Sequence, residues 1–282
     1  MLVTLTEMMQ GLPERNAAVP AFNVFGYEDA SAVIAAAEEV GAPVILATNK
    51  VALRYMPLQV SGALYRSLAE RAKVPVCIHL DHGDGFESAA EAIMSGYTSI
   101  MYDGSQLPLA DNIRNTREIV KLAHACGIPV EAEIGAVGYT DPSMNVEARL
   151  TAPGEAKVFA EETGVDALAV AIGTLHRMEE QSAPIDYARL AEIERVVSVP
   201  LVLHGSTGVK DDDLHRLAAT RISKVNIGTA LRMAFGKTLR SEILNKPNEF
   251  DRVALFARPI EAVKEAAKQK MLLLNAHQAL NV

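Results

Sequence analysis

The sequence KVPVCI (residues 73–78) has a form that recurs along this chain. In it a proline leads into an apolar run with β-branched residues, and the same device appears in GAPVIL (41–46), GIPVEA (127–132) and SVPLVL (198–203). Proline ends a preceding helix and fixes φ at the first residue of a strand. Each of the four segments therefore predicts a passage from a helix into a strand.

Four more short apolar runs bring the number of predicted strands to eight. They are VPAFNV (19–24), SIMYD (99–103), DALAVAI (166–172) and ISKVNI (222–227). Segments with helical spacing lie between the strands, among them DASAVIAAAEEV (29–40), NIRNTREIVKLAHAC (112–126) and DYARLAEIERVV (186–197). The pattern predicts an alternation of strand and helix along the whole chain.

The predicted strands lack an apolar and polar alternation, as is typical of parallel strands that are buried on both faces. Eight βα units favour a closed (β/α)8 TIM barrel of the α/β class, formed by one domain over residues 1–282. An open doubly wound sheet is the alternative. Neither GxGxxG nor GxxxxGK[ST] follows the first strand, so the usual reasons to prefer that alternative are missing.

Composition excludes several classes of function. The net charge is −8 and no stripe of Lys and Arg is present, which argues against nucleic acid as a partner. No apolar run approaches the roughly 20 residues of a membrane span, and the amino terminus lacks the marks of a signal peptide, so we expect a cytoplasmic protein. Cys77 and Cys126 are the only cysteines, too few for a disulfide framework or a cysteine-based zinc site.

Three histidines come just after three of the predicted strands. His82 lies in CIHLDHGDG, His176 in LAVAIGTLHR and His204 in VPLVLHGSTG. A lone histidine is most often a hydrogen-bonded core or surface residue, but independent core histidines have no reason to occupy equivalent positions on three strands. Imidazoles that meet at the carboxyl end of a barrel predict a zinc site with an open fourth position, and hence catalysis. Further polar residues come at strand ends: Asp81 directly before His82, and Asp103, Glu133 and Asn226 on other strands.

These residues resemble the class II, zinc-dependent ketose-bisphosphate aldolases, which cleave fructose or tagatose bisphosphate. The resemblance covers essentially the whole chain, through PAFNV (20–24), HLDHG (79–83), EAEIG (131–135), GTLH (173–176), LHGSTG (203–208) and KVNIGT (224–229). It implies that zinc on the three histidines stabilises the enediolate left by C3–C4 cleavage. It also implies that Asp81 exchanges the C4 hydroxyl proton and that Asn226 hydrogen-bonds the enediolate.

The resemblance implies further contacts with a phosphorylated sugar substrate. Backbone and hydroxyl groups would cradle the phosphate of dihydroxyacetone phosphate, with a monovalent cation as an optional companion, at Gly205, Thr207, Gly228 and Thr229. Asn23, Asn49 and Arg177 would be other substrate contacts. Glu133 and Asp103 would orient the ligands or hold an alternative metal position. The resemblance also implies a homodimer or homotetramer.

The chain departs from the family pattern at four places. Arg177 follows the histidine where the family has glycine, and we expect it to be either an added anion donor or a solvated arginine at the start of a helix. The phosphate loop reads Gly205-Ser206-Thr207 in place of GGS or GAS. Residues 138–141 read GYTD in place of GG-x-E, so Asp141 aligns with the glutamate that removes a proton from the ketone. Asn49 occupies the neighbourhood where members of the family often have a serine that contacts the far phosphate.

Two other functions, and one other mechanism for the same reaction, remain as alternatives. A zinc-dependent hydrolase on the same barrel would pair His-x-His on the first strand, and PAFNV has no histidine. A non-catalytic, aldolase-like subunit would have lost its ligands, and all three histidines are present. A Schiff-base aldolase would need a buried lysine at a strand end, for which Lys224 is the one strand lysine near the predicted site.

Overall fold

The computed structural model describes residues 1–140 and 146–280. Its strands are β1 Val19–Asn23, β2 Val44–Thr48, β3 Val76–Gly83, β4 Ser99–Tyr102, β5 Val130–Ile134, β6 Gly138–Tyr139, β7 Ala167–Val170, β8 Leu175–His176, β9 Leu201–Leu203 and β10 Ile222–Ile227. Eight of them form a closed parallel barrel in the order β1-β10-β9-β7-β5-β4-β3-β2, and β6 pairs with β8 in a separate two-stranded sheet. The predicted (β/α)8 barrel is confirmed, and all eight predicted strands belong to it.

Helices lie between successive barrel strands, as the alternation predicts, and further helices precede the first strand and follow the last. They are α1 Leu5–Met9, α2 Tyr27–Val40, α3 Lys50–Tyr55, α4 Leu58–Arg71, α5 Phe86–Met94, α6 Leu109–Ala125, α7 Pro153–Thr163, α8 Tyr187–Val196, α9 Asp211–Ala218, α10 Thr229–Asn245 and α11 Arg252–Leu273. Within the described ranges, no helix combines the length and the apolar composition that crossing a bilayer requires.

The prolines of the repeated segments stand one residue before the strands that they introduce. The strands that begin directly after a proline are β2 at Val44, β3 at Val76, β5 at Val130 and β9 at Leu201. Proline has no N–H to donate, but its carbonyl group still accepts: Val44 N donates to Pro75 O and Leu168 N to Pro200 O, both at 3.0 Å. The prolines therefore take part in the first hydrogen bonds of the barrel.

The barrel has two apolar layers and one polar layer. Side chains on the outer face of the strands pack against the helices, and Phe22, Leu46 and Ile78 are fully buried there. The lower half of the barrel interior is filled by small and apolar side chains that pack against α1, whose Leu5 is fully buried. Because α1 closes the amino-terminal end of the barrel, the inward polar residues lie toward the opposite end.

The pair β6 and β8 changes the position expected for one histidine. His176 does not directly follow the sixth barrel strand, because β7 ends at Val170 and a turn at Gly173, with φ 111°, leads to β8. In the two-stranded sheet Gly138 pairs with Leu175 and Tyr139 with His176. This small sheet, outside the barrel, carries His176 over the carboxyl ends of the barrel strands.

A matched pair of glycine substitutions tests the packing of the helical layer. Gly62 lies in α4 against the backbone of Ser95, where an added Cβ would collide with the carbonyl oxygen, whereas a Cβ at Gly236 in α10 would meet open space. We expect Gly62→Ala to lower the free energy of unfolding by about 1–3 kcal/mol through overpacking. Gly236→Ala should raise it by roughly 0.5–1 kcal/mol, since alanine is the better helix former. Urea unfolding of both variants measures the two changes in the free energy of unfolding. A change of the same sign in both variants would contradict the packing at Ser95.

Candidate active site

A pocket at the carboxyl ends of the barrel strands collects most of the predicted site residues. Those that line it are Asn23, Asn49, Asp81, His82, His176, Arg177, Gly205, Thr207, Asn226, Gly228 and Thr229. His204, Asp103 and Glu133 lie directly behind this lining, in contact with it through His82. Asp141 lies outside the described residues.

The three histidines meet at one point. One ring nitrogen from each of His82, His176 and His204 lies within 4.8 Å of the other two. The closest approach joins His204 Nδ1 and His82 Nε2, at 3.0 Å. The structure therefore brings together side chains that are up to 122 residues apart in the sequence.

Carboxylates behind two of these rings fix which nitrogen faces the centre. Asp103 Oδ2 is 2.7 Å from His82 Nδ1, and Glu131 Oε1 is 2.9 Å from His204 Nε2. A carboxylate accepts the N–H of the ring nitrogen beside it, so the lone pair of the other nitrogen points to the centre. Two such nitrogens at 3.0 Å share a cation between them, which is a proton on His82 Nε2 when no metal is bound and a metal ion when one is. This donor set fits a metal ion.

Burial and the neighbouring carboxylates shift the histidine pKa values in opposite directions. Burial lowers the pKa of His176 and of His204, which favours the neutral imidazole that binds metals. Burial also works against a charge on His82, but Asp81 and Asp103 outweigh it and raise the His82 pKa to about 10. His82 is thus the ring that faces the most negative charge.

Glu133 and Asp103 form a second donor set with His82. One oxygen from each carboxylate lies within 4.8 Å of a ring nitrogen of His82. Val137 N donates to Glu133 Oε1 at 3.0 Å, whereas Oε2 has no hydrogen-bond partner among the described residues. Burial, together with the nearby Asp103, raises the Glu133 pKa to about 8.

Asp81 is held between two amide side chains. Asn23 Nδ2 donates to its Oδ2 at 2.7 Å and Asn226 Nδ2 to its Oδ1 at 2.9 Å. Burial raises the pKa of a carboxyl group, but His82, His204 and the nearby Lys224 outweigh burial and hold the Asp81 pKa well below its usual range. Asp81 is therefore a carboxylate whose two oxygens are fixed in place, with Oδ1 3.8 Å from His82 Nε2.

The orientation of Asn226 depends on a buried lysine. Lys224 Nζ donates to Asn226 Oδ1 at 2.7 Å and forms an ion pair with Glu131 Oε2, also at 2.7 Å. An ammonium group can only donate, so the amide oxygen faces Lys224 and the NH2 group faces Asp81. Lys224 and Glu131 are both fully buried. Since the lysine is engaged as the partner of Glu131 and Asn226, this geometry argues against its use as a Schiff-base nucleophile.

Sequence reasoning did not assign Glu131 to the site. Burial raises the pKa of a carboxyl group, but Lys224 and His204 outweigh it and hold the Glu131 pKa at about 2. The alternation of side chains along a strand could have identified Glu131 and Lys224 as site residues. Glu131 shares one face of β5 with Glu133, and Lys224 shares one face of β10 with Asn226. Those faces point into the barrel.

The residues predicted to form a phosphate cradle lie in two adjacent turns. Gly205, with φ 69°, packs against the backbone of Leu175, and Gly228 precedes α10, whose first residue is Thr229. Thr207 Oγ1 accepts from the N–H of Ala230 at 3.2 Å, which ties the two turns together. Backbone N–H groups at the start of a helix favour an anion.

Asn49, directly after β2, has a structural role in the pocket wall. Its Oδ1 accepts from Val51 N and Ala52 N, both at 3.1 Å, and so caps α3. Two cations of α3 that the sequence analysis did not single out, Lys50 and Arg54, also line the pocket. A further cation, Arg232 of α10, lies on the cradle side.

Arg177 lines the pocket in a strained backbone conformation. It follows β8 and lies ten residues before α8, so the expectation of an arginine at the start of a helix is wrong. Its φ is 61°, a left-handed conformation that costs a residue with a side chain about 1–2 kcal/mol. Its guanidinium carbon is 5.8 Å from the ring centroid of Tyr139, and the Tyr139 ring is 4.7 Å from that of His176. Tyr139, which sequence analysis left without a role, is therefore part of the pocket wall.

Substitution of the buried lysine tests the network under the site. Lys224→Met should lower the free energy of unfolding by about 3–5 kcal/mol, because it removes the ammonium partner of the buried Glu131 carboxylate. The same substitution in an exposed ion pair, Lys157→Met opposite Glu161, should cost less than about 1 kcal/mol. Urea unfolding of the two variants gives the comparison, and a similar cost for both would contradict the structural role of the Lys224 pair.

Comparisons with known proteins agree with the geometry of this site. The family model described as "Fructose-bisphosphate aldolase class-II" matches residues 3–279. The chain is 38% identical over 274 residues to "Probable fructose-bisphosphate aldolase" of Bacillus subtilis (strain 168), with 96% of both proteins covered. It is 37% identical over 302 aligned positions to "Fructose-bisphosphate aldolase" of Thermus caldophilus, an alignment that covers 98% of this chain and 99% of that protein.

A solved structure has the same architecture. The crystal structure of the YdjI aldolase from Escherichia coli K12 superposes on this chain with a TM-score of 0.86 and 32% sequence identity, over 98% of each chain. The similarity therefore extends over the whole barrel, including the strands that carry the histidines.

Proposed function

Since the chain belongs to the class II fructose-bisphosphate aldolase family and is a carbon–carbon lyase, we propose that it is a zinc enzyme that reversibly cleaves a ketose phosphate into dihydroxyacetone phosphate and an aldehyde. Fructose and tagatose 1,6-bisphosphate are the candidate substrates. The family accounts for a phosphorylated sugar as the substrate. The use of zinc and the identity of the sugar are what we propose beyond the family assignment.

The observation that carries the proposal is the pair of ring nitrogens that face each other at 3.0 Å, beside an ionised aspartate. His82 and His204 would hold zinc together with His176, since three imidazoles and one open position are the donor set of catalytic zinc. When bound, zinc would act as a Lewis acid on the oxygens of the ketone end of the substrate. Glu131 and Asp103 would keep the ring orientations that this requires.

Asp81 and Asn226 would carry the proton and the charge of the reaction. The Asp81 carboxylate, whose two oxygens are held by Asn23 and Asn226, would accept the C4 hydroxyl proton in cleavage and return it in condensation. The Asn226 amide nitrogen that binds Asp81 also lies 3.3 Å from His204 Nδ1, and its second N–H would donate to the enediolate oxygen once that histidine nitrogen holds zinc. Lys224 would keep that NH2 group turned toward the reacting atoms.

The remaining residues would bind the substrate. Gly205, Thr207, Gly228 and Thr229 would cradle the phosphate through N–H and hydroxyl groups, with or without a monovalent cation, and Arg177 and Asn23 would contact the substrate beside them. Asp141 would take the ketone proton by its alignment with the family's loop glutamate. Glu133 is the next candidate for that step, because its raised pKa suits a group that accepts a proton near neutral pH.

Metal removal provides the direct test of this function. The purified protein should contain about one zinc per chain, cleave fructose or tagatose 1,6-bisphosphate, and lose the activity with a chelator until zinc returns. Borohydride added with dihydroxyacetone phosphate should form no covalent adduct. The measurements are metal analysis, a cleavage assay on both sugars and mass spectrometry. Full activity of the metal-free protein, or an adduct on Lys224, would refute the zinc mechanism.

Replacement of the proposed base separates chemistry from binding. Asp81→Asn keeps the shape of the side chain but removes the proton acceptor, so kcat should fall roughly 100-fold or more while KM changes much less. Asp84→Asn is the matched control, since Asp84 is an exposed residue beyond the pocket lining and its replacement should leave kcat unchanged. Steady-state cleavage kinetics give both constants. Near-normal turnover in the Asp81 variant would show that another group moves the proton.

A further inference from the structure

The backbone at Arg177 is unusual among the described residues. Four residues other than glycine have a positive φ in residues 1–140 and 146–280: Asn16, His82, Arg177 and Asn275. Asparagine adopts this conformation readily, so Asn16 and Asn275 need no special explanation. The other two, His82 and Arg177, both line the candidate active site. Strain that persists at a site suggests that the side chain it positions has a function there.

Arg177 is held against Tyr139 by the small sheet outside the barrel. Tyr139 pairs with His176 in β6 and β8, and Thr140 continues the ladder, with its N–H donating to His176 O at 3.1 Å and its hydroxyl to Arg177 O at 3.2 Å. The same register sets the Arg177 guanidinium 5.8 Å from the Tyr139 ring centroid. This distance is within the range of a cation–π contact.

The position of this pair relative to the phosphate cradle follows from the packing of Gly205. An added Cβ on Gly205 would lie 2.7 Å from Leu175 O and 3.2 Å from His176 N, so the cradle rests directly on the backbone that leads into Arg177. Arg177 also shares two adjoining pockets with Thr229 and Arg232. Two arginines therefore adjoin the cradle, on a chain whose net charge is −8.

We propose that Tyr139 and Arg177 form an added anion-binding element, in which Tyr139 positions the Arg177 guanidinium to bind the phosphate group held by the cradle. This inference rests on the proposed function and deepens it. The two residues stand where the family pattern has glycine, and the structure brings these two replacements into contact. A guanidinium group supplies paired N–H donors and a full charge, which the N–H groups of the cradle lack.

The first test combines stability with phosphate affinity. Arg177→Gly removes the strained side chain, so the Tm of the ligand-free protein should rise by about 2 °C. The same variant should need about tenfold more inorganic phosphate for a given rise in Tm, and its KM for dihydroxyacetone phosphate should increase about tenfold, with the effect on KM larger than that on kcat. A purely structural arginine would change the Tm without changing the phosphate dependence.

Two further variants isolate the role of Tyr139. Tyr139→Phe keeps the aromatic face and should retain wild-type phosphate affinity, whereas Tyr139→Leu should weaken it about threefold, the effect of a lost exposed cation–π contact. In the Arg177→Gly background, Tyr139→Leu should have no additional effect on phosphate affinity, as a double-mutant cycle expects for coupled residues. Additive effects of the two substitutions would refute the positioning role.

Asn16→Gly serves as the control, because it changes another left-handed residue away from the pocket and should leave phosphate affinity as in the wild type. Unchanged phosphate affinity and KM in Arg177→Gly would overturn the proposal while leaving the aldolase function intact. If the wild-type protein cleaved no ketose phosphate, the inorganic phosphate measurements would still decide whether the anion-binding element exists.

Discussion

The buried ion pair between Lys224 and Glu131 is the interaction on which the site depends. It joins β10 to β5 across the barrel interior, and each partner uses its remaining hydrogen-bonding capacity on a functional side chain. Lys224 turns the amide of Asn226, and Glu131 fixes the ring of His204. A buried charge pair contributes little net stability on its own, because desolvation offsets the attraction. Its role here is to orient the Asn226 amide and the His204 ring, since it permits one arrangement of each.

The division of the barrel interior into layers explains where that pair can exist. Apolar side chains and α1 close the amino-terminal half, so water is excluded from below. Above the ion pair, Asp81, Asn226 and the three histidines form one connected set of hydrogen bonds and close contacts. The low dielectric of the interior strengthens these contacts and makes any unpaired charge costly. Replacement of one member therefore affects its neighbours as well.

Much of the site could be predicted because parallel strands present their carboxyl ends at one edge of the barrel. His82, His204 and Asn226 lie at that edge for this reason. His176 lies in the same cluster, but it reaches the site on β8, a short strand outside the barrel. Glu131 and Tyr139 were missed, because a glutamate inside a strand and a tyrosine in a two-residue strand carry no local sign of their partners. Arg177 was left between two alternatives that only its backbone conformation and its contacts distinguish.

The sequence by itself determined the number and order of the barrel strands, their parallel arrangement and the set of histidines, because periodicity and proline positions are local properties that act through the backbone. The tertiary structure alone decided which nitrogen of His82 and of His204 faces the centre, which side of the Asn226 amide faces Asp81, and which ring the Arg177 guanidinium contacts. These features depend on contacts between residues far apart in the chain, such as Glu131 with His204 and Tyr139 with Arg177. Their geometry exists only once the barrel has closed and excluded water from its interior.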